Sequence, residues 1–455
     1  MRIHRLFAAP AALMLAAAAG CASKPTSSEP PCATAPQASV ASPSAVAAPG
    51  APITVVSDAT LPRIPLADFQ HRALPADGAL DDHGIVLGGI GSDIYPAQAP
   101  DEYWMVTDRG PNGKAKTSGG KVRTFPVPGF DPSILRVKVA GNRLDVQQTI
   151  PITTTAGRPV TGLSNSATDE PPYDLRGQQP LPLNPAGLDT EGMVRAPNGD
   201  FWLSEEYSPS IVHVSPTGTV LARYVPQGTA LPDPGYPVFA TLPAILAKRK
   251  LNRGLESMAI SPDGGTLYTT LQSPLAWPDE GAGDVSLALR LFAVNAQTGQ
   301  AGAEYVYPLE EARTFDPATR GDQAEMKVSA LAWYGPGQLL VEERTDDVAK
   351  LYVARIDPAR NILGGPFDDV AHSPSLEQAG PTAVTALTKT PLVDLTGLVS
   401  GLPKKIEGIA VRDQKTIAIA NDNDFAMPTK GVSFGPDDRL CDSGDASRLL
   451  VLHLN

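Results

Sequence analysis

The sequence has few of the residues that bind transition metals or build disulfide frameworks. Its 455 residues include three cysteines and six histidines, and the histidines show no spacing typical of a zinc site. The sequence therefore predicts neither a zinc enzyme nor a small disulfide-rich scaffold.

Positive charge is in deficit. The formal net charge is −12, and Lys248-Arg249-Lys250 is the longest run of consecutive basic residues. Because an acidic surface repels phosphate backbones and anionic lipid headgroups, we predict that the protein does not bind nucleic acid.

Two glycine-containing segments do not supply common catalytic loops. GLSNS at 162–166 is not a Gly-x-Ser-x-Gly elbow. The glycines at 88–91 lack the spacing of a dinucleotide-binding loop. The sequence therefore favours neither an α/β-hydrolase nor a Rossmann enzyme.

The one marked apolar run lies at the N-terminus. Arg2 and Arg5 precede an apolar stretch at 6–19, and small residues lead to Cys21 in the pattern of a bacterial lipobox. We predict a lipoprotein-type signal peptide over 1–20, with lipidation of Cys21 as the expected membrane anchor and simple cleavage as the alternative. The protein is then exported, either anchored or free in the periplasm or medium.

Residues 21–51 are rich in alanine, proline and serine, which is typical of a linker, and the folded domain is predicted over 52–455. With Cys21 modified, Cys32 and Cys441 would remain. They form either a Cys32–Cys441 disulfide or two free thiols.

Short strand patterns and turn residues fill the rest of the chain. The sequence contains 41 glycines and 46 prolines, and five units can be counted, each of up to four short apolar runs separated by turns. This organisation predicts an all-β fold, a β-propeller with five recognisable four-stranded blades and long loops in which a sixth blade could lie. The last unit has three strands, and the N-terminal run ITVVSD would complete it and close the ring.

A spaced pair of polar positions recurs in four of the units. Glu191, Glu256, Ser329 and Glu407 each precede an apolar run, and the end of the next run follows 14 residues later. Because the start of one strand and the end of its antiparallel neighbour lie side by side, these positions should share one face of the propeller. Asp108 should join them from the first unit.

Crowded carboxylates repel one another, and a hard cation with oxygen ligands is the usual remedy. Calcium is the candidate cofactor, and the tract Asn421-Asp422-Asn423-Asp424 is its expected centre. The predicted metal ligands are Asp422, Asp424, Asn421, Glu205 and Glu343. The alternative is that repeated acids only bind backbone N–H groups of neighbouring blades.

Basic residues occur beside these acids. Arg253 and Lys404 lie three residues before a repeated glutamate, and Arg109 and Arg344 follow a second strand. Guanidinium groups suit phosphate and carboxylate oxygens, so these four residues are predicted to bind an anionic substrate. The alternative is charge balance among exposed acids.

Four segments together resemble the phytase-like family with esterase-like activity, a group of exported bacterial β-propellers. They are GGIGS with the later TDRG, DTEGM followed by PNGDFWLSEEYSP, NRGLESMAISPDG, and KIEGIAV followed by ANDNDF, and the resemblance covers roughly residues 80–455. It implies an exported propeller hydrolase related to calcium-using phytases, with a small ester or anion as substrate.

Three functions remain open from the sequence. The first is metal-assisted hydrolysis of an ester or phosphoester, with Glu191, Glu256 and Glu407 as catalytic candidates and the first two as general bases. The second is a non-catalytic lipoprotein that binds a partner at the cell envelope. The third is a calcium-dependent propeller resembling lactonases.

Overall fold

Short strands dominate the computed structural model, which describes residues 53–70, 81–428 and 433–455. The predicted signal peptide, Cys21, the linker and Cys32 lie outside the described residues. Cys441 is disulfide-bonded. Among the described residues, no helix combines the length and apolarity needed to cross a membrane.

The strands are, in chain order, β1 (Ile53–Thr60), β2 (Asp93–Pro96), β3 (Glu102–Val106), β4 (Gly113–Thr117), β5 (Gly120–Thr124), β6 (Ser133–Ala140), β7 (Arg143–Pro151), β8 (Pro172–Tyr173), β9 (Thr190–Arg195), β10 (Phe201–Glu205), β11 (Ser210–Val214), β12 (Val220–Pro226), β13 (Val238–Leu242), β14 (Leu255–Ile260), β15 (Thr266–Leu271), β16 (Ala288–Asn295), β17 (Ala301–Pro308), β18 (Lys327–Gly335), β19 (Gln338–Arg344), β20 (Ala349–Arg355), β21 (Thr388–Asp394), β22 (Ile406–Asp413), β23 (Thr416–Asn421) and β24 (Arg448–Leu454).

Helices are short and lie in the connections. The α-helices are α1 (Leu66–Gln70), α2 (Glu280–Val285), α3 (Ala312–Phe315), α4 (Leu376–Ala379) and α5 (Leu395–Leu398). Single 3₁₀ turns occupy Ala244–Lys248, Pro317–Thr319, Gln323–Glu325, Pro358–Arg360, Pro366–Asp368, Pro381–Ala383 and Asp424–Ala426.

The strands form five blades around an axis. The blades are β2-β3-β6-β7, β9-β10-β11-β12 with β13 added in parallel, β14-β15-β16-β17, β18-β19-β20-β21 and β22-β23-β24-β1. The innermost strands contact one another in the cyclic order β2, β9, β14, β18, β22 and back to β2. The predicted all-β propeller is confirmed, and the described residues form five blades rather than six.

The two ends of the described chain complete one blade. β1 pairs antiparallel with β24 from Ile53 opposite Leu454 to Thr60 opposite Arg448. The fourth strand of the last blade therefore comes from the N-terminal side, as the run ITVVSD predicted. β1 also touches β7 of the first blade, through Thr60 and Arg143, so blades five and one share a continuous sheet.

A glycine-rich tract precedes the inner strand of the first blade. That strand is β2, and the tract before it is IVLGGIGS. A Cβ on Gly91 would lie 2.0 Å from the carbonyl oxygen of Asn421, and one on Gly88 would lie 2.5 Å from Oδ1 of Asn423. These glycines therefore allow the chain to pass directly against the loop after β23.

Candidate functional site

The repeated positions of the sequence coincide with β-bulges. In four blades the register between the first two strands shifts by one residue at the same place, which leaves one residue of the inner strand without a partner. A bulge redirects the side chain that it contains. The bulged residues are Glu191, Glu256, Ser329 and Glu407.

The bulged glutamates belong to a series of buried acids around the propeller axis, which we call the carboxylate ring. The charges of Asp422 and Asp189 act on Asp108, those of Asp189 and Glu256 act on Glu191, and those of Glu206 and Glu407 act on Glu256. The ring consists of Asp108, Asp189, Glu191, Glu206, Glu256, Glu407 and Asp422. The prediction that the acidic ends of the blades meet on one face is thus met by the structure.

Burial and mutual repulsion make ionisation of these acids unfavourable. The pKa of Asp108, of Glu191 and of Glu256 is raised well above its usual value, in each case first by burial and then by neighbouring carboxylates. For Asp189 the same causes raise the pKa to about 7, although Arg109 opposes them. These four acids therefore bind a proton, or an added cation, more readily than exposed carboxyl groups do.

Three cations are bonded to members of the ring. Arg109 pairs with Asp189 and, through Nη2, with Glu206 at 2.8 Å. Arg344 pairs with Glu407, and its Nε donates to Oγ of Ser329 at 2.9 Å. Arg109 and Arg344 were predicted to bind substrate, but the structure commits both guanidinium groups to internal carboxylates.

The third cation is Lys405, which lies where a metal was predicted. Its Nζ is 2.9 Å from Oδ2 of Asp422 and 2.6 Å from Oδ1 of Asp424. Asn421 has a structural role, because its side chain bonds backbone groups of Ala446 and Arg448. The ammonium group thus neutralises the two aspartates that were expected to bind calcium.

Two further predicted metal ligands lie in separate buried ion pairs. Glu205 is bonded to Arg223 at 2.6 Å and to Ser210 at 2.8 Å. Glu343 accepts from the hydroxyl of Tyr307 at 2.6 Å and pairs with Lys389. Both residues end a second strand as predicted, but their carboxylates are neutralised within their own blades and are not brought to Asp422.

A different group of acids has the geometry of a metal site. Carboxylate oxygens of Asp189, Glu191 and Glu206 lie within 4.8 Å of one another, and all three residues are buried. Asp189 and Glu206 share Arg109, whereas Glu191 has no hydrogen-bond donor or cation bonded to it among the described residues. Glu191 is therefore the uncompensated member of this acid trio.

Of the four predicted substrate-binding residues, Arg253 alone keeps a free guanidinium edge. Its Nη2 donates to the carbonyl of Ala324 at 3.4 Å, and its Nη1 is buried with no acceptor in the described part of the chain. Burial first, and then the charge of Arg344, lower the pKa of Arg253. Lys404 lies outside the cluster, since its side chain is 76% exposed and pairs with Asp347.

Two lysines extend this basic region. Burial and then the charges of Arg344 and Arg253 lower the pKa of Lys327 to about 8. Partial burial and then Arg123 lower the pKa of Lys114, and Arg253 contributes to that shift. An anion bound at Arg253 would relieve repulsion among all of these groups.

Sequence reasoning missed several of these residues. Asp189 stands two residues before the repeated Glu191, and Lys405 two residues before Glu407, so both were within the motifs but at unrepeated positions. Asn252 accepts from Arg109 at 2.7 Å and from Arg123 at 2.6 Å. No sequence pattern signals that bridge, because the two arginines come from different connections.

Comparison with known proteins identifies the family. A sequence model described as phytase-like, with esterase-like activity of phytase, matches residues 85–425. The chain belongs to this phytase-like family. The match includes β2 to β23 and every member of the carboxylate ring.

The phytase-like chain is also similar to an uncharacterized secreted protein of Arthroderma benhamiae, at 26% identity over 46% of this chain and 49% of that one. The chain therefore spans about half the length of this curated relative.

Solved structures with similar folds include a GH43 β-1,3-galactosidase with galactodeoxynojirimycin, at 11% identity, 81% and 91% coverage of the two chains and a TM-score of 0.37. A luciferin-regenerating enzyme matches at 9% identity, 80% and 92% coverage and a TM-score of 0.33. The Cps50 (Swd1) β-propeller domain of Myceliophteria thermophila matches at 12% identity, 82% and 98% coverage and a TM-score of 0.30.

The raised pKa values of the phytase-like chain predict how its stability depends on pH. Burial raises the pKa of Asp93, Glu256 and Glu342 well above the usual values, and that of Asp131 to about 7. The folded state therefore binds more protons than the unfolded chain from about pH 4 to pH 7, so the free energy of unfolding should fall as pH rises through this window. Thermal melts in chelator should give a lower Tm at pH 8 than at pH 5. A Tm that rises over this interval would contradict the assignment.

Proposed function

We propose that this chain is an exported hydrolase of phosphate esters, with carboxylic esters as poorer substrates, that acts at the carboxylate ring. The observation that carries the proposal is that Glu206 interacts with two groups that lack an ion-pair partner among the described residues, one acidic and one basic. Glu191 has no bonded cation among the described residues, and Arg253 has a free guanidinium edge that feels the charge of Glu206 in the same acid trio. Glu191 is therefore available to bind a cation, and Arg253 is available to bind an anion.

The acid trio fits a hard divalent cation such as calcium. Its donors are all carboxylate oxygens, they lie within 4.8 Å of one another, and Glu191 is free to bind. When bound, such a cation would polarise the ester and help to ionise water. The fit favours this trio over Asp422 and Asp424, which Lys405 already neutralises.

The chain's own residues would hold the substrate and move the proton. Arg253, with Lys114 and Lys327 around it, would bind the anionic oxygens of the ester. Glu256 is suited to act as general base, because Gln272 bonds its Oε1 and its Oε2 has no partner among the described residues. Burial and the neighbouring carboxylates raise the pKa of Glu256, which makes it a stronger base than an exposed glutamate. The water oxygen would bond to phosphorus as Glu256 accepts a proton from it, the bond between phosphorus and the ester oxygen would break, and the alcohol would leave with the proton that Glu256 had accepted.

Export is supported by two observations. The N-terminal sequence has the charged and apolar regions of a signal peptide, and the fungal relative is named as secreted. Lipidation of Cys21 would anchor the propeller to a membrane through the linker at 21–51.

Hydrolysis of p-nitrophenyl phosphate and p-nitrophenyl acetate in the presence of calcium tests the proposal. We expect the phosphate ester to be the better substrate. The Arg253→Met variant should lose about 100-fold in kcat/KM for the phosphate, because one preorganised donor to the reacting group typically contributes this much. Its activity on the uncharged acetate should change little.

Lys404→Met is the matched control, since Lys404 also precedes a repeated glutamate by three residues but lies outside the ring. It should retain full activity on both esters. If neither ester is hydrolysed although divalent cations still raise Tm, the function is that of a binding platform with a structural metal, and the hydrolase proposal fails.

A further inference from the structure

The propeller axis carries a second cavity beyond the carboxylate ring. It has a volume of about 310 Å³ and is lined by residues from all five inner strands, among them Met193, Met258, Leu331 and Ile409. Each of these four follows a bulged position by two residues, so the cavity begins roughly 7 Å further along the strands. This size lies at the lower end of small-molecule binding sites.

Among the described residues, no member of the carboxylate ring lines this axial cavity, and Asp93 is a further buried acid that is bonded to its wall. Its carboxylate accepts hydrogen bonds at 2.8 Å from the backbone N–H groups of Ile94 and Met193, whose residues line the cavity. Asp93 itself is buried and does not line it. The axial cavity is thus a compartment distinct from the proposed catalytic site.

The lining is apolar with a single charge. Tyr95 and Trp333 contribute aromatic surface, and among the described residues that form the wall, Arg195 is the one that is charged. Arg195 rests on Trp104, 4.9 Å from its ring centroid, and donates through Nε to the carbonyl of Gly199 at 3.2 Å. Within the described chain it forms no ion pair, so its guanidinium can accept an anionic partner.

We propose that the axial cavity binds a small amphiphile with an apolar body and a carboxylate at one end. The apolar body would displace water from the methionine, leucine and isoleucine side chains. The carboxylate would form charge-assisted hydrogen bonds with Arg195. Among the described residues, the wall contains no acid that would favour a cationic ligand instead. The charge of the ligand should therefore determine how tightly it binds.

Calorimetric titration of the full chain with three probes of equal chain length tests this inference. Octanoate should bind at least about tenfold more tightly than octan-1-ol, since a hydrogen bond to a charged group contributes roughly this much, and octyltrimethylammonium should bind most weakly. The Arg195→Met variant should lose the preference for octanoate over octan-1-ol but still bind octan-1-ol. Ala332→Leu, which fills the cavity, should weaken both.

Arg143→Met is the control, because Arg143 is exposed and pairs with Asp145 on β7. It should leave octanoate binding unchanged. The proposal is overturned if octanoate binds no better than octyltrimethylammonium, or if Arg195→Met and Arg143→Met behave alike. It also fails if the full chain does not bind octanoate but a chain lacking residues 1–52 does, since that segment would then be the occupant.

Discussion

Replacing Glu191 by glutamine is expected to abolish hydrolysis and, in chelator at pH 8, to increase the stability of the protein. Neighbouring carboxylates and burial oppose ionisation of Glu191, so the neutral amide removes an unfavourable charge. We expect the free energy of unfolding to rise by about 1 kcal/mol, which is less than the energy that corresponds to a pKa shift of about one unit. The same change removes a ligand from the acid trio, and the rise in Tm on adding calcium should therefore be lost.

Glu407→Gln is the matched control for this experiment. Glu407 occupies the same bulged position in its blade, but its carboxylate pairs with Arg344, which is buried. The amide would leave that guanidinium without a charged partner, so this variant should be destabilised rather than stabilised. Thermal melts of both variants with and without calcium give the comparison. Loss of stability in Glu191→Gln would mean that Glu191 is part of the architecture.

The largest loss of stability is expected for Arg223→Met. Arg223 and Glu205 are both fully buried, and Arg223 also donates to the carbonyls of Tyr207 at 2.9 Å and Gly187 at 3.1 Å. Removing the guanidinium leaves Glu205 as an uncompensated buried acid, which costs about 3–5 kcal/mol. Urea unfolding followed by circular dichroism should show this decrease.

A double variant separates the charge from the packing. Arg223→Met combined with Glu205→Leu removes both charged groups, so it should be more stable than Arg223→Met alone. If the double variant is the less stable of the two, packing and backbone hydrogen bonds, rather than the isolated charge, account for the loss. Glu205 also accepts from the backbone N–H of Asp189 at 2.9 Å, so the double variant reaches one member of the carboxylate ring.

The sequence predicted the blades and the shared face better than the role of each acid. Repeated spacing depends on strand length and bulge position, which neighbouring residues in the chain determine. Whether a carboxylate is available depends on a partner far away in sequence, such as Lys389 for Glu343 or Lys405 for Asp422. Glu205 and Glu206 illustrate this, because the first is bonded to Arg223 and the second joins the acid trio.

The basic residues show the same limit. Arg109, Arg253 and Arg344 look equivalent in the sequence, but two of them are already bonded to ring acids and one is not. Lys405 has a positive φ of 53°, which accompanies its position in the cluster next to the exposed Lys404. A backbone conformation of this kind has no signature in composition or spacing, so the sequence did not indicate that Lys405 lies among the ring acids.

The pairing of β1 with β24 constrains the order in which this protein can acquire its structure. Ile53 pairs with Leu454, so β1 can pair only after β24 is available. Contacts this distant in sequence slow folding, and an unpaired strand edge promotes aggregation while it lasts. For an exported chain, the propeller would not close until β24 has been translocated. Release from the export machinery, rather than synthesis of the blades, would then set the moment at which the binding sites on the axis are formed.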